Sequence, residues 1–545
     1  MERRLILAIS LMIVVAVVPS FFIKQKPRPA AAALPAPESA AVAPGGRAAG
    51  SQAGAQISME APTAAVAAVG DTVTLGTPRA TYSFGTIGAG IARAEFPAYR
   101  SYGDGQGAVP VNLVRAGDRL LAYRLVVGVD TVRLDTLRFT VSRSGESATF
   151  RAAQGALRFG VSYTRTANRN FELDVTGTIA GLGGRGALLL VGLGTGLANV
   201  EADSNDNYRR YGVVGRLSSP VEKSFSKVAP GEVAALEGPF DWIAVKSKYF
   251  IGALLSADST KPEFGGAVMI GGLRPNRTAT HAQTWATRLI GADGRFGFSV
   301  FLGPLEYREL RPLGRQLDRA SPYGWIFKPI VMPVSVWITQ LLLWMHQFLH
   351  LGYGLVLILF GVLVRLALWP LNQKAMMSSV AMQSIQPLMK DIQTRYKDDP
   401  TRQQQETMKL YKEHKVNPLG GCLPMLLPFP ILIALFFVFA NTIEFRGVSF
   451  LWLPDLSLRD PFYVIPLVMG ASMWALSKLG QVGMPPNPQA KMMTTIMPIV
   501  MTFMFLNFAS GLNLYYAVSN LVSLPQQYLI NQARQREMDR RKPKS

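Results

Sequence analysis

The sequence predicts a multi-pass α-helical membrane protein that carries one large soluble β domain. Two observations lead to this fold class. Five or six long apolar runs hold much of the 49% hydrophobic content of the 545 residues. A polar, glycine-rich stretch of roughly 250 residues separates the first run from the others, which is the pattern of spans around a soluble insert.

The chain begins with a charged segment and then an apolar run of 19 residues, Leu5–Ile23. A signal peptide is one interpretation, because small residues follow at Ala30–Ala33. The run is longer than the apolar part of a signal peptide, about 7–15 residues, and close to the roughly 20 that a span needs. We therefore predict a transmembrane anchor over residues 1–23 with a cytoplasmic amino terminus. Residues 24–69, rich in Ala, Pro and Gly, are predicted to be a flexible linker.

Residues 70–320 are predicted to form a β domain. Apolar and polar residues alternate along Leu120–Phe139 and Ser147–Tyr163, and Ala187–Val191 is an apolar run typical of a buried strand. Gly, Pro and Asn divide the segment into short strands with few helical stretches between them, which indicates a β-sandwich. The chain has a single cysteine, Cys422, so no disulfide can stabilise this domain.

The carboxy-terminal region, residues 351–530, is predicted to be a core of five membrane-spanning helices. Each apolar run has 17–19 residues, near the lower limit for crossing about 30 Å of hydrocarbon. The runs are Tyr353–Leu371, Cys422–Ala440, Phe462–Leu479, Met492–Phe508 and Leu512–Ile530. The preceding segment, 321–350, contains Lys328, Pro329, Pro333 and His346, and we predict that it is a helix lying in the outer interface.

The distribution of basic residues predicts the topology. Eight Lys and Arg residues lie in 372–417 and six in the tail 531–545, whereas the loop 441–461 has two. Basic loops stay preferentially in the cytoplasm, where they attract anionic lipids. Six spans with both termini inside and the β domain outside satisfy this bias. Within 372–417, helical periodicity interrupted at 398–401 predicts a cytoplasmic helical hairpin, with Pro400 in the first turn of its second helix.

The formal net charge of +21 does not by itself indicate a nucleic-acid-binding protein. Residues 60–320 hold 30 Lys and Arg against 23 Asp and Glu, so the β domain is only mildly basic. The one nucleic-acid contact that we retain is ribosomal RNA touched by the basic tail. The sequence shows neither a phosphate-binding loop nor an acyl-transfer motif nor a convincing metal-ligand cluster, so we predict no catalytic residue, metal site or cofactor.

Arg365 is the first candidate functional residue because it is a charge inside an apolar run. It is the thirteenth residue of its 19-residue run, about 9 Å from the cytoplasmic end at 1.5 Å per residue. A charge at the centre of a membrane helix costs roughly 2.5–3.5 kcal/mol, so such residues usually face a bundle interior or a wet cavity. The alternative is that Arg365 extends to the inner headgroups.

A polar stripe on the last predicted span favours the cavity. Tyr516, Asn520, Ser523 and Gln527 recur at helical spacing and therefore share one face. With Arg365 they predict a hydrophilic groove. Hydrogen bonding between helices is the alternative, at about 0.6 kcal/mol per contact.

Two neighbouring runs predict a soft apolar surface that suits varied partner helices. Methionine side chains repack easily and so suit varied partners, although lipid contact and core filling are the ordinary roles of such residues. The predicted surface consists of Phe429, Pro430, Met497, Met501, Phe503, Met504 and Phe505.

The carboxy-terminal part resembles the YidC/Oxa-type insertase family. The resemblance rests on Val364-Arg365-Leu366 with Trp369-Pro370-Leu371, on the segment Lys415–Pro424, and on Ser510-Gly511-Leu512 followed by Leu514-Tyr515-Tyr516 and Ser519-Asn520-Leu521. It covers roughly 323–530. The first anchor and the large β domain are similar to the Gram-negative form of the family, which has a periplasmic β-supersandwich.

The resemblance implies a five-helix insertase core with a hydrophilic groove that is open to cytoplasm and lipid and in which Arg365 lies. It also implies that client helices slide along the third and fifth spans, counted from the anchor, which here begin at Cys422 and Met492. It implies insertion and folding of nascent inner-membrane proteins without nucleotide hydrolysis, alone or with the Sec translocon. The ribosome, or the signal recognition particle and its receptor, would bind the cytoplasmic hairpin and basic tail. The sequence departs from the family at Pro428, where a polar glutamine is frequent, so the role of that position is not transferred.

Two other functions remain open from the sequence. A small-molecule transporter would use the β domain as a ligand-binding module, although inverted repeats are not apparent. A pure assembly chaperone would hold partner helices within a larger translocon without inserting them itself.

Overall fold

The computed structural model describes residues 71–103, 107, 109–272, 282–321, 328–397, 399–414, 429–481 and 488–541. The predicted anchor 1–23, the linker 24–69, Cys422 and Pro428 lie outside these residues.

Nineteen strands in the described part of the β domain form three antiparallel sheets. The strands are β1 Thr72–Gly76, β2 Thr81–Gly85, β3 Ile91–Arg100, β4 Pro110–Asn112, β5 Ala122–Val127, β6 Asp130–Val132, β7 Thr140–Ser144, β8 Ser147–Gln154, β9 Leu157–Arg165, β10 Glu172–Ala180, β11 Ala187–Gly192, β12 Gly212–Arg216, β13 Pro220–Ser224, β14 Val233–Phe240, β15 Trp242–Lys246, β16 Phe250–Ser256, β17 Phe264–Gly271, β18 Ala282–Ile290 and β19 Arg295–Pro304. The sheet orders are β1-β2-β3-β4, then β13-β12-β15-β16-β19-β10-β9-β8-β7, and β14-β17-β18-β11-β5-β6.

The four-stranded and six-stranded sheets both pack on the same face of the nine-stranded sheet. Phe264 of β17 packs against Phe298 of β19 with ring centroids 6.1 Å apart, and Phe84 of β2 packs against Tyr163 of β9 at 4.2 Å. Phe298 and Tyr163 are both paired with Val175 of β10, so their side chains point to one face. Side chains alternate along a strand, so inward aromatic rings from each sheet fill the layer between them. The predicted β-sandwich is confirmed, and the predicted buried strand is β11.

Ten α-helices are described. They are α1 Ser204–Arg209, α2 Tyr307–Leu310, α3 Lys328–Leu349, α4 Tyr353–Ser384, α5 Gln386–Arg395, α6 Pro400–Glu413, α7 Phe429–Asn441, α8 Val464–Gln481, α9 Pro488–Phe505 and α10 Ser510–Arg541. The helices α3, α4, α7, α8, α9 and α10 enclose one apolar core that includes Leu342, Leu357, Leu435 and Met469. Each predicted apolar run of the carboxy-terminal region therefore contributes a helix to a common bundle.

The helices α5 and α6 form an antiparallel pair with a small core of their own. Ile385 and Leu410 are buried there, and Tyr411 and Met389 pack around them. Asp399 caps α6 by accepting a hydrogen bond from the backbone N–H of Arg402, at 3.0 Å. Pro400 lies in the first turn of α6, as the sequence predicted, because proline needs no hydrogen-bond acceptor for its nitrogen there.

Two helices in the described part are long and apolar enough to cross a membrane by length and composition. They are Pro329–Leu349, with 21 residues, and Tyr353–Pro370, with 18. Pro430–Asn441 and Thr494–Phe505 are shorter apolar helices. The helix α3, which the sequence assigns to the interface, therefore also meets the criteria for a span.

Candidate functional site

Arg365 lies on α4 against α10. Its Nε atom donates hydrogen bonds to the backbone carbonyl oxygen of Ser519, at 3.2 Å, and to Oγ of Ser523. The Ser523 hydroxyl also donates to the carbonyl of Ser519, at 2.6 Å. Gly361, one helical turn before Arg365, lets the two helices approach closely, because a Cβ atom there would lie 3.3 Å from Val518 Cγ1. Arg365 is thus half-buried and held against α10 by uncharged oxygens, and no described acidic side chain pairs with it.

The predicted polar stripe on α10 only partly surrounds Arg365. Ser523 contacts it directly, whereas Tyr516 stacks on Phe505 with ring centroids 5.7 Å apart. Gln527 donates from Nε2 to Oδ1 of Asn531, at 3.2 Å. Ser519 was missed by the sequence reasoning because it acts through its backbone carbonyl, and a pattern of side chains carries no signal for that.

Three side-chain amides on α10 are buried with an unsatisfied polar atom. Among the described residues, Asn513 Oδ1, Asn520 Nδ2 and Gln526 Nε2 have no hydrogen-bond partner. An unsatisfied buried polar group costs about 1–3 kcal/mol, so such groups normally bind water or a ligand. Asn520 was predicted to line the groove, while Asn513 and Gln526 were not singled out.

The predicted sliding surface needs one correction, at Phe505. Its side chain is only 2% exposed, lies in the bundle core and stacks on Tyr516, whereas Phe503 is 68% exposed. Two residues along a helix turn the side chain by about 200°, so these two phenylalanines cannot share a face. Phe505 is therefore a packing residue.

The remaining surface residues fall into two groups. Met497, Met501 and Met504 recur at helical spacing and are half-buried along the seam between the bundle and its outer surface. The outer face of α9 beside them carries Phe503 together with Ile496, Ile499 and Val500. Pro430 at the start of α7 is exposed. The side chain of Phe429 lies outside the described part.

A buried ion pair joins the β domain to the loop between α7 and α8. The guanidinium of Arg446 donates from Nε to Glu201 Oε2, at 2.7 Å, and from Nη2 to the carbonyl of Val200, at 2.8 Å. It also lies over the ring of Tyr102, 4.8 Å from the centroid. Arg446 and Glu201 are both almost completely buried. Nothing in the sequence pattern predicted this junction.

Glu444 lies two residues before Arg446 and makes the junction sensitive to pH. Burial raises the pKa of Glu444 to about 7, and the nearby Glu306 carboxylate adds to the rise, against the opposing effect of Arg308. The folded protein therefore binds this proton more tightly than the unfolded chain. Its contribution is fully present below the unfolded pKa near 4.5 and is lost as the pH rises through 7.

We expect the wild-type chain to be more stable at pH 5.5 than at pH 8, by on the order of 2 kcal/mol from this group. Glu444→Gln, which is neutral at both values, should remove that part of the difference. Thermal unfolding in detergent micelles, followed by tryptophan fluorescence, measures it. Glu413→Gln, at an exposed glutamate of α6, is the matched control and should keep the wild-type pH dependence. An unchanged dependence in Glu444→Gln would contradict the prediction.

Two protein-family models match the chain. The model of the YidC periplasmic domain matches residues 72–345, half of the chain, and the model described as 60Kd inner membrane protein matches residues 344–537. The chain belongs to the YidC family. It is accordingly an inner-membrane protein with a periplasmic β-sandwich domain and a helical core. The two matches meet at residues 344–345, near the carboxy-terminal end of α3.

Several curated relatives carry the name membrane protein insertase YidC. The one from Vibrio cholerae serotype O1 is 31% identical over 86% of this chain and 87% of its own length. The one from Chlorobaculum tepidum is 29% identical over 92% and 87%. The one from Syntrophus aciditrophicus is 36% identical over 60% of this chain and 58% of its own length, so that match spans less than two thirds of the relative.

Among solved structures, an active YidC insertase whose first transmembrane domain is resolved is 18% identical. The match covers 84% of this chain and 92% of that one, with a TM-score of 0.34.

Proposed function

We propose that this protein is a membrane protein insertase that moves the hydrophilic tail of a client partway into the membrane through a groove around Arg365. The observation that carries the proposal is the environment of Arg365, a half-buried cation between α4 and α10 that is bonded only to the oxygens of Ser519 and Ser523 among the described residues. A buried cation without a counter-ion is costly unless water or an acidic ligand reaches it. An acidic client tail is such a ligand.

The unsatisfied amides of α10 support a hydrated groove. Asn520 and Gln526 are buried on α10, the helix whose Ser519 and Ser523 contact Arg365, and water or a client backbone would satisfy their free N–H groups. Each polar group that the groove offers shortens the distance over which a tail crosses dry hydrocarbon. Nucleotide hydrolysis is not needed, because burial of the incoming apolar helix and the membrane potential acting on its charges supply the driving force.

The client helix would leave the groove along α7 and α9. Met497, Met501 and Met504 lie on the seam, and Phe503 and Pro430 face outward beside them. Flexible thioether side chains adapt to differing client helices at small cost. The surface that we propose is therefore the seam plus the outer face, without Phe505.

The topology that we propose has six spans, with both termini in the cytoplasm, the β domain in the periplasm, and α3 in the outer interface. Gln340 in the middle of α3 donates a hydrogen bond to the hydroxyl of Tyr307, at 2.6 Å, and Tyr307 begins α2 at the end of the β domain. If α3 crossed the membrane, its middle would lie near the bilayer centre, away from a periplasmic domain. This contact therefore favours the interfacial assignment, although α3 is long enough to span.

The cytoplasmic pair α5 and α6 and the basic tail are proposed to meet partners. Lys409, Lys412 and Arg402 lie on α6, and the last helix continues to Arg541. These charges fit anionic lipids, ribosomal RNA, or the signal recognition particle and its receptor. The Sec translocon is proposed as a partner in the membrane.

The test is insertion of a small client by the purified chain in liposomes without another translocon. We expect protease protection of the client's translocated segment to depend on this protein and to need no nucleotide. Empty liposomes are the control. Failure with several clients, at verified orientation of the protein, would favour the chaperone instead. The comparisons with known proteins give no support to a transporter.

A further inference from the structure

The loop between α7 and α8 contains a two-residue turn with an apolar tip. Phe450 and Leu453 exchange both of their backbone hydrogen bonds, each 2.9 Å long, and Leu451 and Trp452 lie between them. Leu451 has a φ of 54°, in the left-handed region that glycine or asparagine normally occupies in such turns. This backbone conformation is unfavourable for leucine, so the presence of leucine here has to be explained by what its side chain contacts.

The turn is rigidly attached to the bundle. Leu453 is buried in the helical core, and the ring of Phe450 occupies the space where a side chain at Gly354 would be. The indole Nε1 of Trp452 donates to Asp460 Oδ1, at 3.2 Å. The other carboxylate oxygen of Asp460 accepts from the backbone N–H of Ile465, at 2.8 Å, and so caps the first turn of α8. These contacts fix the direction in which the tip points.

The tip is exposed and continues a larger apolar surface. Leu451 is 74% exposed and Trp452 41% exposed. Phe462, Val464 and Leu467, at the outer end of α8, are also exposed and apolar. In the proposed topology this surface runs from the lipid-facing side of α8 to its periplasmic end. Arg459, which is basic, is the only exposed charged residue in the segment 448–467.

We propose that the Leu451–Trp452 turn is a membrane finger that inserts into the outer leaflet, at the boundary between headgroups and acyl chains. Tryptophan prefers this depth because its ring is apolar while its N–H stays hydrogen-bonded, and a nearby arginine can contact lipid phosphate. Continuity with the lipid-facing side of α8 favours lipid over a protein partner. The finger would set the depth at which the outer end of α8 lies.

The depth of the finger can be measured in the full-length chain because it has one native cysteine. In a Cys422→Ser background, Leu451→Cys is labelled with a nitroxide and reconstituted in vesicles of phosphatidylethanolamine and phosphatidylglycerol. Collision with oxygen, which partitions into lipid, is compared with collision with a water-soluble nickel chelate. Leu363→Cys on α4 and Val129→Cys, 97% exposed in the β domain, give the lipid and water references.

We expect the label at 451 to collide more often with oxygen than with the nickel chelate. Its ratio of oxygen collisions to nickel collisions should lie between the ratios measured at 363 and at 129. A ratio equal to that at 129, with 363 in lipid, would overturn the finger and leave the topology intact. Shielding from both reagents would overturn it in favour of a second copy or another protein. A label at 363 that collides mainly with nickel would overturn the topology itself, and the finger with it.

A second measurement keeps the native turn. Phospholipids brominated near the headgroup should quench the part of the fluorescence that Trp452→Phe removes, and deeply brominated lipids should quench it less. If neither brominated lipid quenched this part of the fluorescence, insertion of the finger would be contradicted.

Discussion

Arg365→Ala should reduce insertion of clients whose translocated tails are acidic by about tenfold, and insertion of clients with neutral tails by much less. Two unit charges 4 Å apart interact by about 4 kcal/mol at an effective dielectric constant of 20, and desolvation consumes much of this. A remaining 1.4 kcal/mol corresponds to a tenfold effect. The measurement is protease protection in liposomes with two versions of one client, which differ only in the acidic residues of the tail.

Two variants separate charge from geometry at this site. Arg365→Lys keeps the charge but loses the guanidinium geometry at Ser519 and Ser523, so we expect partial activity with acidic tails. Lys478→Ala removes an exposed charge from the same half of the bundle and is the matched control, which should insert both clients normally. Equal loss with acidic and neutral tails in Arg365→Ala would show that Arg365 acts on the structure of the groove and not by charge attraction.

Arg446→Ala should destabilise the folded protein by about 3–5 kcal/mol, because it leaves the carboxylate of Glu201 buried without its partner. The loss should appear as a lower thermal midpoint and as faster hydrogen exchange in the loop 441–461 and around Tyr102. The double replacement Arg446→Leu with Glu201→Leu removes both charges and should recover most of the stability, since apolar replacement of a whole buried pair is often neutral.

The control for Arg446 is an ion pair of the same type on the surface. Lys261 lies 3.9 Å from Asp258, and both side chains are largely exposed. Lys261→Ala should change the stability by at most about 1 kcal/mol, because solvent screens such pairs. If Arg446→Ala were as mild as this control, the junction would not contribute to coupling between the β domain and the bundle.

The sequence predicted well which segments are strands and which are helices. The two-residue period of a strand and the 3.6-residue period of a helix can both be recognised within a short stretch of sequence. Alternation along Ser147–Tyr163 corresponds to β8 and β9, and each carboxy-terminal apolar run contains a helix. The pairing of Arg446 with Glu201 could not be predicted, because the partners are 245 residues apart and neither lies in a pattern that points to the other.

The wrong assignment of Phe505 has a different cause. A helix in lipid is apolar on the side that faces the bundle and on the side that faces the acyl chains, so composition does not distinguish the two. Only the packing of α9 on α10 shows that Phe505 faces inward and Phe503 outward. Polar residues were more informative, since Arg365 and Ser523 had to avoid lipid and were predicted on facing helices.

The division of α9 into an inward and an outward face determines what a docking helix has to displace. In the arrangement proposed above, acyl chains, which are as apolar as leucine and exchange freely, would cover Phe503 and its neighbours on the outward side. A client helix would then compete with mobile lipid and not with a fixed protein neighbour, so its docking and release would be nearly balanced in free energy. Release of one client before the next enters would follow from this balance, because a face that bound helices more tightly would retain each client.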